Sequence, residues 1–332
     1  MDQQNCDNAL YCPFEQALNP SVELVQSRSL DWCSRKHIVS EERRSHLAKS
    51  KIAWLTARAF PQANIKGLQL ASDWTHLFCL LDDRTDRLTC PVSLGAFLND
   101  MLTVFRTGVL FGDMLTDPFA HALLDLRSRM LQLSSAAWLE SFANELRQLF
   151  IGYSWETIND TMGIVPDLGT YLNMRARTIG LYPQFLLAAI TDDIELPAEV
   201  LHDPIVRSLM TATSNCVAWA NDLCTYEKEI AEGENHNLVA VMMKHESMSM
   251  ADAANHVVAM HDAEIRRFLE LESELPIFAG HDRDLTRFVG ILRSWIRGHL
   301  DWAQETGRYR PGLEVSPQQA SESGLWARAA SW

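Results

Sequence analysis

Along most of the chain, apolar residues recur at the three- and four-residue spacing of amphipathic helices. The spacing predicts helices near residues 21–36, 40–59, 66–83, 92–107, 117–132, 135–159, 167–191, 197–231, 235–245, 249–272 and 283–306. Pro61, Pro91, Pro118, Pro166, Pro197 and Pro276 fall near the breaks, where proline punctuates helices. No stretch shows repeated two-residue alternation, a hairpin signal, a G-x-G-x-x-G run or a Walker pattern. No linker or internal repeat divides the chain. The pattern therefore predicts an all-α fold, one domain of about ten or more helices over residues 16–311. A flexible N-terminal segment, 1–15, and a C-terminal tail, 312–332, are expected to flank it.

Composition narrows the function classes. The 332 residues carry 29 Lys+Arg against 43 Asp+Glu, a formal charge of −14. That balance argues against nucleic acid as a partner, which needs a positive field facing phosphates. An anionic membrane surface is an equally poor partner. No apolar run approaches the roughly 20 residues of a membrane span, and the acidic start MDQQNCDNALYCPFEQ lacks a signal-peptide core. The seven cysteines form no CxxC pair and no zinc spacing, and read as reduced thiols of a cytoplasmic protein. Ten Trp against 15 Gly and 12 Pro point to long helices around a roomy interior.

Two polar clusters break the apolar helical pattern. Residues 74–86 run from an apolar stretch into Asp82, Asp83 and Asp86. Asp82 and Asp86 lie four apart, on one helical face, at a C-terminal end that the macrodipole already makes negative. A hard divalent cation relieves both penalties, and Mg2+ takes one or two carboxylates together with phosphate oxygens. A solvated acidic helix end is the plain alternative. The second cluster reads Asn-Asp-Leu-Cys-Thr-Tyr-Glu-Lys-Glu over 221–229. Asn221, Thr225 and Glu229 stack along one face over about 12 Å. Amide, hydroxyl and carboxylate oxygens suit Mg2+ rather than zinc; the alternative is a polar stripe on a surface helix.

Together these segments resemble the class I terpene synthases (terpene cyclases) of the microbial type, and the resemblance runs from about Phe14 to Pro311. Asp82-Asp83-Arg84-Thr85-Asp86 matches the family's aspartate-rich motif, and 221–229 matches its second metal motif, with Thr225 in the Ser/Thr slot. Tyr171-Leu-Asn-Met-Arg175 resembles the segment carrying the diphosphate-sensing arginine, 46 residues before Asn221. Arg308-Tyr309 matches the family's C-terminal Arg-Tyr pair.

The resemblance implies the class I terpenoid synthase fold around a central cavity, and three Mg2+ ions, with Mn2+ as a substitute. Asp82 and Asp86 would hold two ions, and Asn221, Thr225 and Glu229 the third. Arg175, Lys228, Arg308 and Tyr309 would donate to the diphosphate of an isoprenoid substrate, farnesyl diphosphate by chain length. Ionisation would yield an allylic cation and then a terpene hydrocarbon or alcohol. A helix break at Ile179 or Gly180 would turn a backbone carbonyl toward the reacting group. Phe78 and Trp302 are the expected pocket aromatics; Trp54, Trp74, Trp155 and Trp219 read as core, and Arg177 as a surface charge. The enzyme would act as a monomer or homodimer.

Geranyl and geranylgeranyl diphosphate are the alternative substrates. A chain-elongating prenyltransferase would carry a second aspartate-rich motif where this chain has Asn221, Thr225 and Glu229. His202-Asp203, His261-Asp262 and His281-Asp282 raise an HD-type phosphohydrolase, without further ligands to complete it.

Overall fold

A computed structural model describes residues 10–233 and 236–309. Its helices are α1 (Val22–Arg35), α2 (Glu41–Lys49), α3 (Ile52–Ala59), α4 (Ile65–Thr85), α5 (Pro91–Thr107), α6 (Pro118–Leu133), α7 (Ala136–Met162) and α8 (Leu168–Thr178). There follow α9 (Leu181–Leu186), α10 (Ala188–Thr191), α11 (Ala198–Leu201), α12 (Pro204–Glu232), α13 (Leu238–His245), α14 (Met250–Ser273) and α15 (Asp282–Glu305). No strand occurs among the described residues. Side-chain caps start the long helices: Asn64 accepts from Gly67 N, Asp167 from Thr170 N, and Asp203 from Ile205 N and Val206 N.

Three predicted helices are divided. The 40–59 segment breaks at Lys51, whose φ is 48°. Carbonyls that a continuous helix would use internally are taken from outside: Ser50 O accepts from Trp302 Nε1 at 3.0 Å and Thr306 Oγ1 at 2.8 Å, and Lys51 O accepts from Trp302 Nε1 at 2.9 Å. The 197–231 segment restarts at Pro204, which suits the first helical position because its missing N–H is one a helix start leaves unbonded. The 167–191 segment breaks at Gly180, with φ 76°.

The α12 helix packs along α14 and α15, α15 lies against α3, and α4 packs on α1 and α3. Aromatic edges lock these layers: Phe60 meets Trp295 at 5.8 Å, and Trp74 meets Phe142 at 4.8 Å. Tyr11 N donates to Asp262 and Phe14 stacks edge-on against Phe268, so part of the segment expected to be loose is seated. The tail 312–332 lies outside the described residues. No helix among the described residues is long and apolar enough to cross a membrane. Side chains of α4, α7, α8, α9, α12 and α15 surround a cavity of about 670 Å³.

Candidate active site

The first cluster sits where α4 ends. Oxygens of Asp82, Asp83 and Asp86 approach within 4.8 Å of one another, the one such group of acidic, His or Cys side chains among the described residues. Desolvation at the cavity wall pushes the Asp82 carboxyl above its usual range; Arg308 opposes the shift and Asp83 adds to it. Arg308 forks onto Asp83, Nη2 to Oδ1 at 2.7 Å and Nη1 to Oδ2 at 3.2 Å, and reaches Asp82 Oδ2 at 3.5 Å. Arg84, the cation inside the motif, turns away: it forks onto Asp117 at 3.0 and 2.6 Å and lies over the Phe97 and Phe119 rings. Asp82 and Asp86 line the cavity, while Asp83 is taken up by Arg308.

The second cluster lies across the cavity on α12. Asn221 Oδ1 accepts from Arg175 Nη2 at 2.7 Å, and Asn221 Nδ2 donates to the Tyr309 oxygen at 2.7 Å. Glu229 Oε2 accepts from Asn237 Nδ2 at 2.9 Å, while burial and then Asp222 push its carboxyl up. Thr225 is buried, donates to Asn221 O at 2.9 Å and, like Lys228, does not line the cavity. Arg175 is anchored by Asp222, which is fully buried. Asp222 Oδ1 accepts from Arg175 Nε at 2.9 Å, and its Oδ2 accepts from Tyr171 OH at 2.5 Å and Leu238 N at 3.0 Å. Fixed ion pairs raise the guanidinium pKa against the opposing burial, so Arg175 stays charged.

Between the clusters the α8–α9 break brings Ile179 and Gly180 to the cavity wall. A side chain at Gly180 is excluded twice. Its φ of 76° disfavours L-residues, and a Cβ would stand 2.7 Å from Phe78 Cε2 and closer to Cζ. Phe78, Trp295 and Trp302 form aromatic walls, and Leu55, Leu181 and Val217 apolar ones.

The structure brings Phe78, Asp82, Asp86, Arg175, Ile179, Gly180, Asn221, Glu229, Trp302, Arg308 and Tyr309 to one cavity. Arg177 is exposed and donates to Gln148. Trp54, Trp74, Trp155 and Trp219 are not on the cavity wall. Sequence reasoning missed the α7 wall, where Tyr153, Glu156, Thr157 and Asp160 face in at helical spacing. The Tyr153 hydroxyl is buried beside Asp82, and burial raises the Glu156 carboxyl. Trp295, His299 and Gln184 were also missed. The His-Asp dipeptides do other work: Asp203 caps α12, Asp262 accepts from Tyr11 N, and Asp282 accepts from Phe278 N.

The ligand atoms facing the cavity from both clusters are oxygens, which fits a hard divalent cation and not zinc or copper. Guanidinium and phenol donors stand beside them, as an anion bound with such a cation requires.

Comparison with known proteins agrees. The family model "Terpene synthase family 2, C-terminal metal binding" matches residues 73–267, which include both clusters. Germacrene A synthase of Nostoc punctiforme is 33% identical over 93% of this chain and 96% of its own. The (+)-T-muurolol synthase of Roseiflexus castenholzii is 30% identical over 94% and 96%. The fold also resembles the crystal structure of germacradien-4-ol synthase from Streptomyces citricolor, with a TM-score of 0.79, 24% identity, and coverage of 92% of this chain and 100% of that one. The chain belongs to the class I terpene synthases and is an enzyme of that type.

Proposed function

We propose that this enzyme is a Mg2+-dependent sesquiterpene synthase that ionises farnesyl diphosphate and turns the resulting cation into a C15 hydrocarbon or alcohol. One observation carries the reading. Two oxygen-rich faces, Asp82 with Asp86 and Asn221 with Glu229, look across one cavity that also carries an apolar patch of Leu55, Phe78, Leu181, Val217, Trp295 and Trp302. Its volume, about 670 Å³, falls within the roughly 300–1,000 Å³ of small-molecule pockets. The (+)-T-muurolol relative is described as farnesyl-diphosphate cyclizing, which supports the C15 choice.

Asp82 and Asp86 would hold two Mg2+ ions, and Asn221 and Glu229 a third; Thr225, off the cavity wall, would have to turn from Asn221 O to join them. Bound there, the ions would neutralise charge building on the leaving diphosphate. Arg175 and Arg308 present planar donors that pair bidentately with phosphate oxygens, and Tyr309 adds a hydroxyl. Asp222 and Asn221 hold Arg175 and Tyr309 in place for the departing anion, whereas Arg308, forked onto Asp83, would exchange that carboxylate for phosphate oxygens. As the carbon–oxygen bond breaks, its electron pair leaves with the diphosphate and an allylic cation remains. The Phe78 and Trp302 faces would each stabilise passing positive charge by roughly 0.5–2 kcal/mol. The apolar patch of the wall would shelter the cation from water.

The test is incubation of the full chain with Mg2+ and, in parallel, geranyl, farnesyl or geranylgeranyl diphosphate. Diphosphate release and a volatile C15 product from the farnesyl substrate are expected. Release from the C10 or C20 substrate alone would overturn the substrate assignment. Release from none would overturn the synthase reading.

A further inference from the structure

Two neighbours compete for the Tyr309 hydroxyl. Asn221 Nδ2 donates to it at 2.7 Å, and His299 Nε2 stands 3.2 Å away on another side. His299 lies on α15 at the cavity wall, 3% exposed, and its Nδ1 has no hydrogen-bond partner. A phenol carries one proton and accepts through its lone pairs. With Asn221 already donating to the oxygen, two arrangements remain. Either the phenol gives its proton to Nε2 and has none for an anion in the cavity, or Nε2–H donates to the phenol oxygen and the phenol proton turns outward.

Burial, followed by repulsion from His261 and Arg175, lowers the His299 pKa to about 3. The ring is therefore neutral near pH 7, and its tautomer sets the direction of the bond. Asn221 cannot reverse its own role, because Arg175 Nη2 donates to its Oδ1 at 2.7 Å and fixes the amide with Nδ2 toward Tyr309. An anion in the cavity offers the phenol a charge-assisted bond, roughly twice as strong as a neutral one.

We propose that His299 is a positioning residue: its Nε2–H donates to Tyr309 and thereby commits the tyrosine's single proton to the diphosphate. The inference rests on the preceding reading, in which Tyr309 faces the diphosphate. A residue that only fills space at this position would be replaceable by any side chain of similar volume; a donor at Nε2 would not.

The experiment uses the full chain with two readouts, calorimetric binding of inorganic diphosphate in Mg2+ and turnover of farnesyl diphosphate. His299→Leu is expected to weaken diphosphate binding about tenfold, the loss of one hydrogen bond to a charged system. It is expected to lower kcat by a similar factor with KM changed less than about twofold. His299→Gln places an amide N–H near the Nε2 position and is expected to stay within about twofold of the parent. His299→Asn places its amide nearer Nδ1 and is expected to behave like the leucine variant, which keeps the test alive if His299→Leu does not fold. In a Tyr309→Phe background, His299→Leu should add less than about twofold. Equal losses in the Gln, Asn and Leu variants, or a full further loss in the Tyr309→Phe background, would overturn the positioning role. A parent enzyme that binds no diphosphate and turns over no isoprenoid diphosphate would instead remove the reading beneath it, and this inference with it.

Discussion

The two oxygen-rich faces of the cavity are built on opposite principles. The α4 face gathers three carboxylates at a helix C-terminus and leaves them partly exposed, with Arg308 bonded to two of them. The motif's own arginine is turned to Asp117, and Arg308 from beyond α15 pairs with Asp82 and Asp83. The α12 face is embedded. Asn221 uses both ends of its amide, Thr225 bonds back to the helix, and Glu229 is held by Asn237. One face is an electrostatic demand for a cation, and the other is a fixed frame that gives Arg175 and Tyr309 their positions. Removing a group should therefore cost function on both faces but cost stability mainly on the second.

The largest effect is expected from Asp82→Asn. Turnover should fall about 1,000-fold, in line with losing a main element of leaving-group stabilisation. Thermal midpoint should move less than about 2 °C, because repulsion is relieved as the Arg308 contact weakens. A large drop in the midpoint would break the contrast. Asn221→Ala should lower turnover about 100-fold or more and also lower the midpoint by about 2–4 °C, since it strips partners from Arg175 and Tyr309. An unchanged midpoint there would show that the frame is not structural. Gly180→Ala should lower turnover about tenfold and alter the product ratio, because the strained backbone costs about 1–2 kcal/mol and the new methyl displaces Phe78. Gas chromatography of the products checks it; an unaltered profile would separate Phe78 from the reaction path. The smallest effect is ligand-linked. Mg2+ with inorganic diphosphate should raise the midpoint by a few degrees, about 2.7 kcal/mol at a hundredfold excess over Kd, and chelation should reverse it. Asp82→Asn should abolish most of that rise, and an undiminished rise would place the ions elsewhere.

The all-α class was legible because helix faces repeat at a fixed period, and both polar clusters were legible because they interrupt it. The break at Ile179 or Gly180 was legible only through the family resemblance, since periodicity runs the helix on to 191; glycine's tolerance of positive φ explains its place. The break at Lys51 was not legible, because Trp302 and Thr306 impose it from α15, about 250 residues away in sequence. Asp222 hid inside the second motif: nothing local distinguishes a ligand from a buried anchor for Arg175. Tyr153 and Glu156 hid in a long helix whose apolar face and cavity face overlap. His299 sat among α15 core residues, and only the fold places it against Tyr309. Motifs that act through their own spacing were readable; groups that act through a partner on another helix were not.

The most direct test of the two-faced cavity is turnover of farnesyl diphosphate by the full chain across a Mg2+ titration, with diphosphate and volatile products measured together. The account predicts no turnover after chelation, recovery on adding Mg2+, and a C15 product released with equimolar diphosphate. Turnover that persists without a divalent ion, or Mg2+-dependent loss of phosphate with no C15 product, would contradict it.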